Sequence, residues 1–470
     1  MHETPGLSMA TQAEDMQPIL GGSSPPGKRL AQQIFLKILP RLDVRDTMRS
    51  RIKRESHRLL WEAGAADDGD VQGPAGSVPL SSPPYVISFG KAANEMALAL
   101  YEILGGEVAA GVVVAPTAPA APAKRFRYVL GSHPYPNAGT VEGARAALHL
   151  LAGLGQDDLV IFLISGGGSA LFEKPLAPDV TLADLIEFNK VLVTCGLPIE
   201  QINVLRKHIS AVKGGRLALR AFPAQQLTVF ISDVPEALDS MVASGPTFPD
   251  PSTVDDCYAL AADNNLTKRF PDRVRRYFEN RMLEETPKPG DAGFGNSHYF
   301  RLLSNRHAVS SACDAAAKMG LVAEVGKGPW DDDFRAVAAA NRAALDDLAA
   351  RNPGAPVCLV VGGEVTCPVT GSGVGGRNQA FVLYAAGLIA GRNRAVLSAG
   401  TDGRDGNSPA AGAVADGQTL ARARARGLDP ARYLAESDAY HFFRTLGDTI
   451  EIGYTGNNVR DLRLWLDFGK

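Results

Sequence analysis

Short apolar runs alternate with longer amphipathic segments through most of the chain. The runs YVISF (85–89), GVVVA (111–115), RYVL (127–130), LVIFLI (159–164) and LTVFIS (227–232) each end in a turn. They are apolar at nearly every position, as expected of strands buried on both faces, and helical stretches fit most of the intervals. This is the βαβ pattern of a parallel sheet covered on both sides. Ahead of it, residues 28 to 63 carry apolar positions three and four apart and are expected to be helical. The pattern changes around 253 to 297, where the charged stretch LTKRFPDRVRRYFENRMLEET is followed by the loop PKPGDAGFGN. A second alternation then begins, with FRLLS (300–304), CLVV (358–361), AVLSAG (395–400) and IEIG (450–453), separated by helical stretches near 308–319, 332–351, 378–391 and 416–426. The expectation is two α/β domains, residues 28–290 and 291–470. Residues 1–27, polar and rich in Gly, Pro and Ser, are expected to form a disordered tail.

Composition changes this picture little. The 470 residues carry a net charge of -3, which argues against a nucleic-acid binder but leaves room for a local basic patch. The five cysteines include no CxxC pair, so neither a zinc site nor a disulfide framework is expected. No apolar run reaches the length of a membrane helix. The first residues, with Glu3, Glu14 and Asp15, do not resemble a secretory signal. A cytoplasmic protein is expected.

In open parallel sheets, ligands bind beyond the carboxyl ends of the strands, so the chemistry is sought there. YVISF runs into Gly90 and Lys91, and Lys91 is expected in the first turn of the following helix. A cation there opposes the helix dipole unless an anion lies between the two. LVIFLI runs into Ser165, Gly166, Gly167, Gly168 and Ser169. A loop this bare lets a phosphate or carboxylate reach main-chain N–H groups, although the same glycines also serve a tight turn packed on a neighbour. No GK[ST] follows, so it is not a P-loop. LTVFIS runs into Asp233, which suits either a metal or substrate hydroxyl, or an Asx turn before Pro235. AVLSAG runs into TDGRDGNS, with Asp402 and Asp405 but without the spacing or closing Glu of a calcium loop. NVLRKHISAVKGGRLALR (203–220) is expected to be a basic helix broken at Gly214 and Gly215, with Arg206 and Lys213 on one face. His133 and His441 have no recognisable partner spacing and read as structural. GSGVGG (371–376) matches a dinucleotide fingerprint. It follows VTCPV, whose proline fits a hairpin arm better than the central parallel strand the fingerprint needs.

The segments SFGKAA, LISGGGSAL, NVLRKHISAVKGG, SDVP, ASGPT, GGE, GGRNQ, GTDGRDG and TGNNV occur in one fixed order from about residue 30 onward. In that order they resemble the glycerate 2-kinase family, whose members end in a MOFRL domain. The resemblance implies a larger Rossmann-like N-terminal domain and a smaller α/β MOFRL-type C-terminal domain, with the active site in a cleft between them. It implies transfer of the γ-phosphoryl of ATP, with Mg2+, to the 2-hydroxyl of D-glycerate, giving 2-phosphoglycerate. The expected partners are small molecules, with no nucleic acid and no membrane, and a homodimer is allowed. Lys91 and Arg377 are then the cations set against the transferring phosphoryl. Asp233 and Asp402 are catalytic and metal candidates. Glu364 holds metal or fixes Arg377. Ser165, Gly166, Gly167, Gly168 and Ser169 cradle an anion, and Arg206, Lys207 and Lys213 collect a carboxylate or phosphate. Some relatives carry the label hydroxypyruvate reductase, so an NAD(P)H-dependent oxidoreductase is the rival reading. The chain departs from the family pattern after SDVP, at Asn137, at Ala380, at Ser408 and Pro409, and at Tyr454. These departures leave a related hydroxy acid open as the substrate, and also a binding protein that has lost turnover.

Overall fold

The computed structural model describes residues 26–62, 75–328 and 330–469. The expected tail falls outside this range except for Pro26 and Gly27, which open a helix. The described chain forms two compact units, residues 44–302 and residues 303–470 together with 26–43.

In the unit 44–302, β1 (Ile52–Glu55), β2 (Arg58–Trp61) and β3 (Gly76–Pro79) form a small antiparallel sheet. The main sheet contains β4 (Tyr85–Phe89), β5 (Ala110–Ala115), β6 (Phe126–Leu130), β7 (Leu159–Ile164), β8 (Gln225–Ile231) and β9 (Ser297–Leu303), in the order β6-β5-β4-β7-β8-β9. Strands β4 to β8 are mutually parallel. All six residues of β7 are buried, as its unbroken apolar run requires. The order is that of the doubly wound dinucleotide-type sheet, and it reverses between β4 and β7, the place where ligands bind in such folds. Phe89 pairs with Ile164, so Gly90 and Ser165 leave the sheet side by side at that reversal. A separate apolar cluster joins the helices Leu182–Val193, Ile199–His208, Val254–Asp263 and Asp272–Glu279 around Phe188, Leu205, Phe270 and Phe278. Thr181 and Thr253 start two of these helices with reciprocal side-chain caps.

The other unit is built on β10 (Val322–Val325), β11 (Val357–Val361), β12 (Arg394–Gly400), β13 (Gly412–Asp416), β14 (Thr449–Ile450) and β15 (Asp461–Asp467), in the order β10-β11-β15-β12-β13-β14. Only β10 and β11 are parallel, because β15 returns between β11 and β12 and pairs antiparallel with both. Trp465 of β15 meets Phe381 edge-on at 5.9 Å in the core. Among the described residues no helix is long and apolar enough to cross a membrane.

Several expectations are corrected here. The helix expected over 28–63 is two helices, Pro26–Ile38 and Val44–Arg51, followed by the β1–β2 hairpin. Leu59 and Trp61, two apart and both buried, are the strand signal that the helical reading passed over. Residues 28–43 do not join the N-terminal domain. Their helix packs in the C-terminal unit, where buried Lys28 bonds Asp448, and Asn457 Nδ2 donates to Leu42 O at 2.6 Å. The boundary lies at 302/303 instead of 290, because FRLLS is the last strand of the first sheet and not the first of the second. No hairpin follows β11. Residues 362–376 run as a loop with one bridge, Asp333 to Thr366.

Candidate active site

The candidate side chains fall into two groups, one in each unit. The first surrounds the loop 165–169. Lys91 N donates to Gly166 O at 2.9 Å and Ala92 N donates to Ser165 Oγ at 3.0 Å, which ties the two strand ends together. Gly90 must be glycine, since it has φ +122° and a Cβ would come within 2.2 Å of Ser165 Oγ. Phe89 stacks on Phe172 at 4.2 Å, and Gly168 lies close over the Phe89 ring. Among the described residues, no protein acceptor takes the N–H of Gly166 or Gly167. Two bare amides are thus offered at the reversal of strand order. The helix that follows is a single turn, Gly168–Leu171, so the expected dipole contribution is small. Lys91 also differs from expectation. It precedes the helix Ala93–Ile103 and its cap residue, outside the first turn.

Basic groups converge on these amides. A Cβ at Gly167 would stand 3.2 Å from Lys91 Cγ and 3.2 Å from His133 Cδ2, so both side chains flank the loop. Partial burial, then the charges of Lys91 and Arg206, hold the His133 pKa below the usual range. Arg206 donates Nε to Asn189 Oδ1 at 3.2 Å, and burial works against its charge. Among the described residues neither Lys91 nor Arg206 has a carboxylate within ion-pairing distance. A cation without a bonded carboxylate beside free amides suits an anion. His133, read from sequence as structural, belongs to this group. Nothing in its spacing could have shown that, since the loop that brings it here is remote in sequence.

Lys207 and Lys213 are placed differently. The helix Ile199–His208 ends before Lys213, so Lys213 and Arg206 share no helix face. Lys213 is fully buried against Glu173, which also accepts from Ser210 Oγ at 2.6 Å. Lys207 is buried and paired with Asp250 at 3.1 Å. Both cations are neutralised inside the unit and support the loops around them. Ser169 Oγ meets Ser244 Oγ at 2.8 Å, and Ser244 bonds Asn203. Ala243 and Ser244 hold left-handed φ values of 52° and 63°, strain of the kind that concentrates at functional sites. The Asp233 carboxylate lies over Gly166, where a Cβ would come within 2.4 Å of Oδ2. A carboxylate next to an anion cradle repels a bare anion but accepts a hydroxyl proton or a cation.

The second group is in the C-terminal unit. Arg377 opens the helix Arg377–Leu388 and grips Asp461 with both arms of its fork, Nε to Oδ2 at 2.6 Å and Nη2 to Oδ1 at 3.1 Å. Nη2 also meets Glu364 at 2.8 Å. Against the cost of burial, Asp461 and Glu364 hold this guanidinium more firmly protonated than usual. Glu364 is thus paired with Arg377. Nη1 has no partner among the described residues. Asp402 and Asp461 both approach Gly400, where a Cβ would stand 3.1 and 3.4 Å from their carboxylates. Among the described residues, no three His, Cys, Asp or Glu side chains are grouped to hold a metal. A magnesium ion that travels with phosphates needs only one or two carboxylates, so Asp233 and Asp402 fit that chemistry and Glu364, paired to Arg377, does not.

The dinucleotide match at 371–376 is explained by packing. Gly371 and Gly373 lie against the backbone of Glu436 and Asp438, and Gly376 against Asp405. Asp405 accepts the N–H of Asn378 at 3.1 Å and of Gln379 at 2.9 Å, taking the helix terminus where a dinucleotide's pyrophosphate would lie. Burial pushes the Asp405 pKa up to about 7 despite those bonds. Its folded value exceeds its ordinary value, so the folded state binds the extra proton. Stability from this group is full at low pH and is lost as pH rises through about 7. A melting series from about pH 4 to pH 8 is expected to show this loss, and Asp405→Asn is expected to remove it. Matching profiles for the two proteins would contradict the assignment.

Of the departures in sequence, Asn137 is explained. It caps the helix Ala138–Leu151 by accepting from Thr140 N at 2.8 Å, as an aspartate would. Ser408 is buried and accepts from Gln379 Nε2 at 2.8 Å.

Comparisons with known proteins match two stretches of the chain. Residues 30–279 match the family model described as a domain of unknown function (DUF4147), and residues 357–461 match that of the MOFRL family. A D-glycerate 2-kinase of Thermotoga maritima is 36% identical over 389 residues, covering 81% of this chain and 90% of that one. The human glycerate kinase is 32% identical over 441 residues, covering 81% and 83%. A relative from Agrobacterium vitis, 37% identical and covering 80% and 97%, carries the provisional name hydroxypyruvate reductase. The crystal structure of a Thermotoga maritima glycerate kinase superposes with a TM-score of 0.78 at 32% identity, covering 94% of this chain and 99% of that one.

Proposed function

Since the chain belongs to the glycerate 2-kinase family, we propose that it is an ATP- and magnesium-dependent cytoplasmic kinase that phosphorylates the 2-hydroxyl of D-glycerate. The observation that carries this reading is Lys91, with no carboxylate within ion-pairing distance among the described residues, beside the free amides of Gly166 and Gly167. Phosphoryl transfer demands positioning and charge neutralisation more than covalent help from the protein. In this reading Arg206 takes the substrate carboxylate with the loop amides. Asp233 accepts the hydrogen bond of the 2-hydroxyl and aims its oxygen at the γ-phosphorus. The new O–P bond forms as the bond to the β,γ-bridging oxygen breaks, and the hydroxyl proton leaves through Asp233 to solvent. Lys91 and the free Nη1 edge of Arg377 offset charge on the phosphoryl oxygens. Magnesium, when bound with the nucleotide, supplies further neutralisation of phosphate charge, with Asp402 or Asp233 as its protein ligand.

Incubation with ATP, magnesium and D-glycerate, followed by separation of 2- from 3-phosphoglycerate, tests this directly. The expected product is 2-phosphoglycerate, and related hydroxy acids form parallel arms. Absence of ADP above background in every arm would sink the reading. Hydroxypyruvate-dependent oxidation of NADH or NADPH is expected to be absent, because Asp405 already occupies the helix terminus a dinucleotide would use.

A further inference from the structure

The C-terminal unit contains a cavity of about 530 Å³, within the range of small-molecule sites and far larger than a three-carbon acid needs. Its walls include Phe334, Val365, Pro368, Val369, Tyr433 and Leu434, which are apolar or aromatic. At its edge Val369 is 84% exposed, more than any other large apolar side chain among the described residues. Two guanidinium groups also line it. Arg335 lies 4.3 Å over the Phe334 ring, with its nearest carboxylate, Asp333, at 3.8 Å. Arg377 lines the cavity as well. A ligand that suits both features has a flat, weakly polar body and several negative charges.

We propose that this cavity holds the base and ribose of the nucleoside triphosphate, with its phosphates at Arg377 and Arg335. The inference rests on the kinase reading but adds a location and a specificity to it. The aromatic and branched walls exclude water from the two faces of a base, and the arginines hold the phosphate chain at the cavity mouth. Arg377 then links the nucleotide to the transferring phosphoryl, while Arg335 only anchors the nucleotide.

Cys367 lines the cavity and is partly exposed, which makes it a built-in reporter. Alkylation by iodoacetamide is followed site by site by mass spectrometry on the full chain, with Cys195 and Cys313 as internal controls. Saturating ATP, ADP or adenosine is expected to slow labelling of Cys367 by about tenfold, set by the remaining free fraction. Tripolyphosphate and D-glycerate are expected to leave it unchanged. In parallel, Cys367→Trp is expected to raise KM for ATP by about tenfold or more and to leave KM for glycerate alone. If the enzyme turns over ATP and glycerate while saturating ATP leaves Cys367 labelling unchanged, this inference falls and the kinase reading stands. If adenosine and ATP protect Cys367 but no hydroxy acid is phosphorylated, the nucleotide site stands and the kinase reading falls.

Discussion

Replacing Lys91 by alanine is expected to lower kcat by roughly a hundredfold or more, the usual cost of removing one preorganised charge from a transition state. The fold should barely register the change. Among the described residues Lys91 has no ion-pair partner, and its charge helps hold the His133 pKa down. Its removal breaks no ion pair and sacrifices the packing of its stem on Gly167. A stability change within about 0.5 kcal/mol is expected, as for substitutions that leave no buried group unpaired. Lys91→Arg restores the charge but brings a longer, planar head into a space shaped by a point charge, so recovery should be poor. Steady-state kinetics with thermal melts of both variants decide the matter. Near-normal kcat in Lys91→Ala would make the lysine a bystander and remove the loop's main partner. A large loss of stability would instead mark it as structural.

Much of this arrangement was legible in the sequence where a local pattern controls the outcome. The run LVIFLI is buried at every position because it lies between two parallel neighbours, and the glycines after it emerge at the reversal of strand order. The elements that were missed depend on contacts far away in the chain. β15 alternates charged and apolar residues, DLRLWLD, yet all seven are buried, with Asp461 held by Arg377 and Asp467 by Arg394. Only knowledge of those partners marks it as the centre of a sheet. The N-terminal helix is amphipathic by its own pattern, but the pattern does not say which unit it covers. In the candidate site the nature of the residues was legible and their pairing was not. Arg206 and Lys213 read alike in a basic stretch, whereas Glu173 neutralises only the second through a direct bond. His133 carried no signal at all, since only the folded chain sets it beside Gly167.

That difference between two similar cations gives the second large effect. Lys213→Ala is expected to destabilise the N-terminal unit by about 3–5 kcal/mol, because it leaves the buried Glu173 charge without its partner. In a unit of this size that is a drop of roughly 10 °C in its melting transition. Neutralising both sides with Lys213→Met and Glu173→Gln together should regain most of the loss, since paired burial costs both ions their hydration and the neutral residues do not bear that cost. The glutamine still accepts from Ser210 Oγ, which keeps the turn after the helix Ile199–His208 in place. At a temperature where both proteins are folded, the double variant should keep kcat/KM within about tenfold of the parent, as a pair that supports the site without touching substrate would allow. A stable double variant that loses activity by several orders of magnitude would show that Lys213 meets the substrate anion itself. Arg206 would then no longer be the principal carboxylate ligand, and the buried pair would have to open when substrate binds.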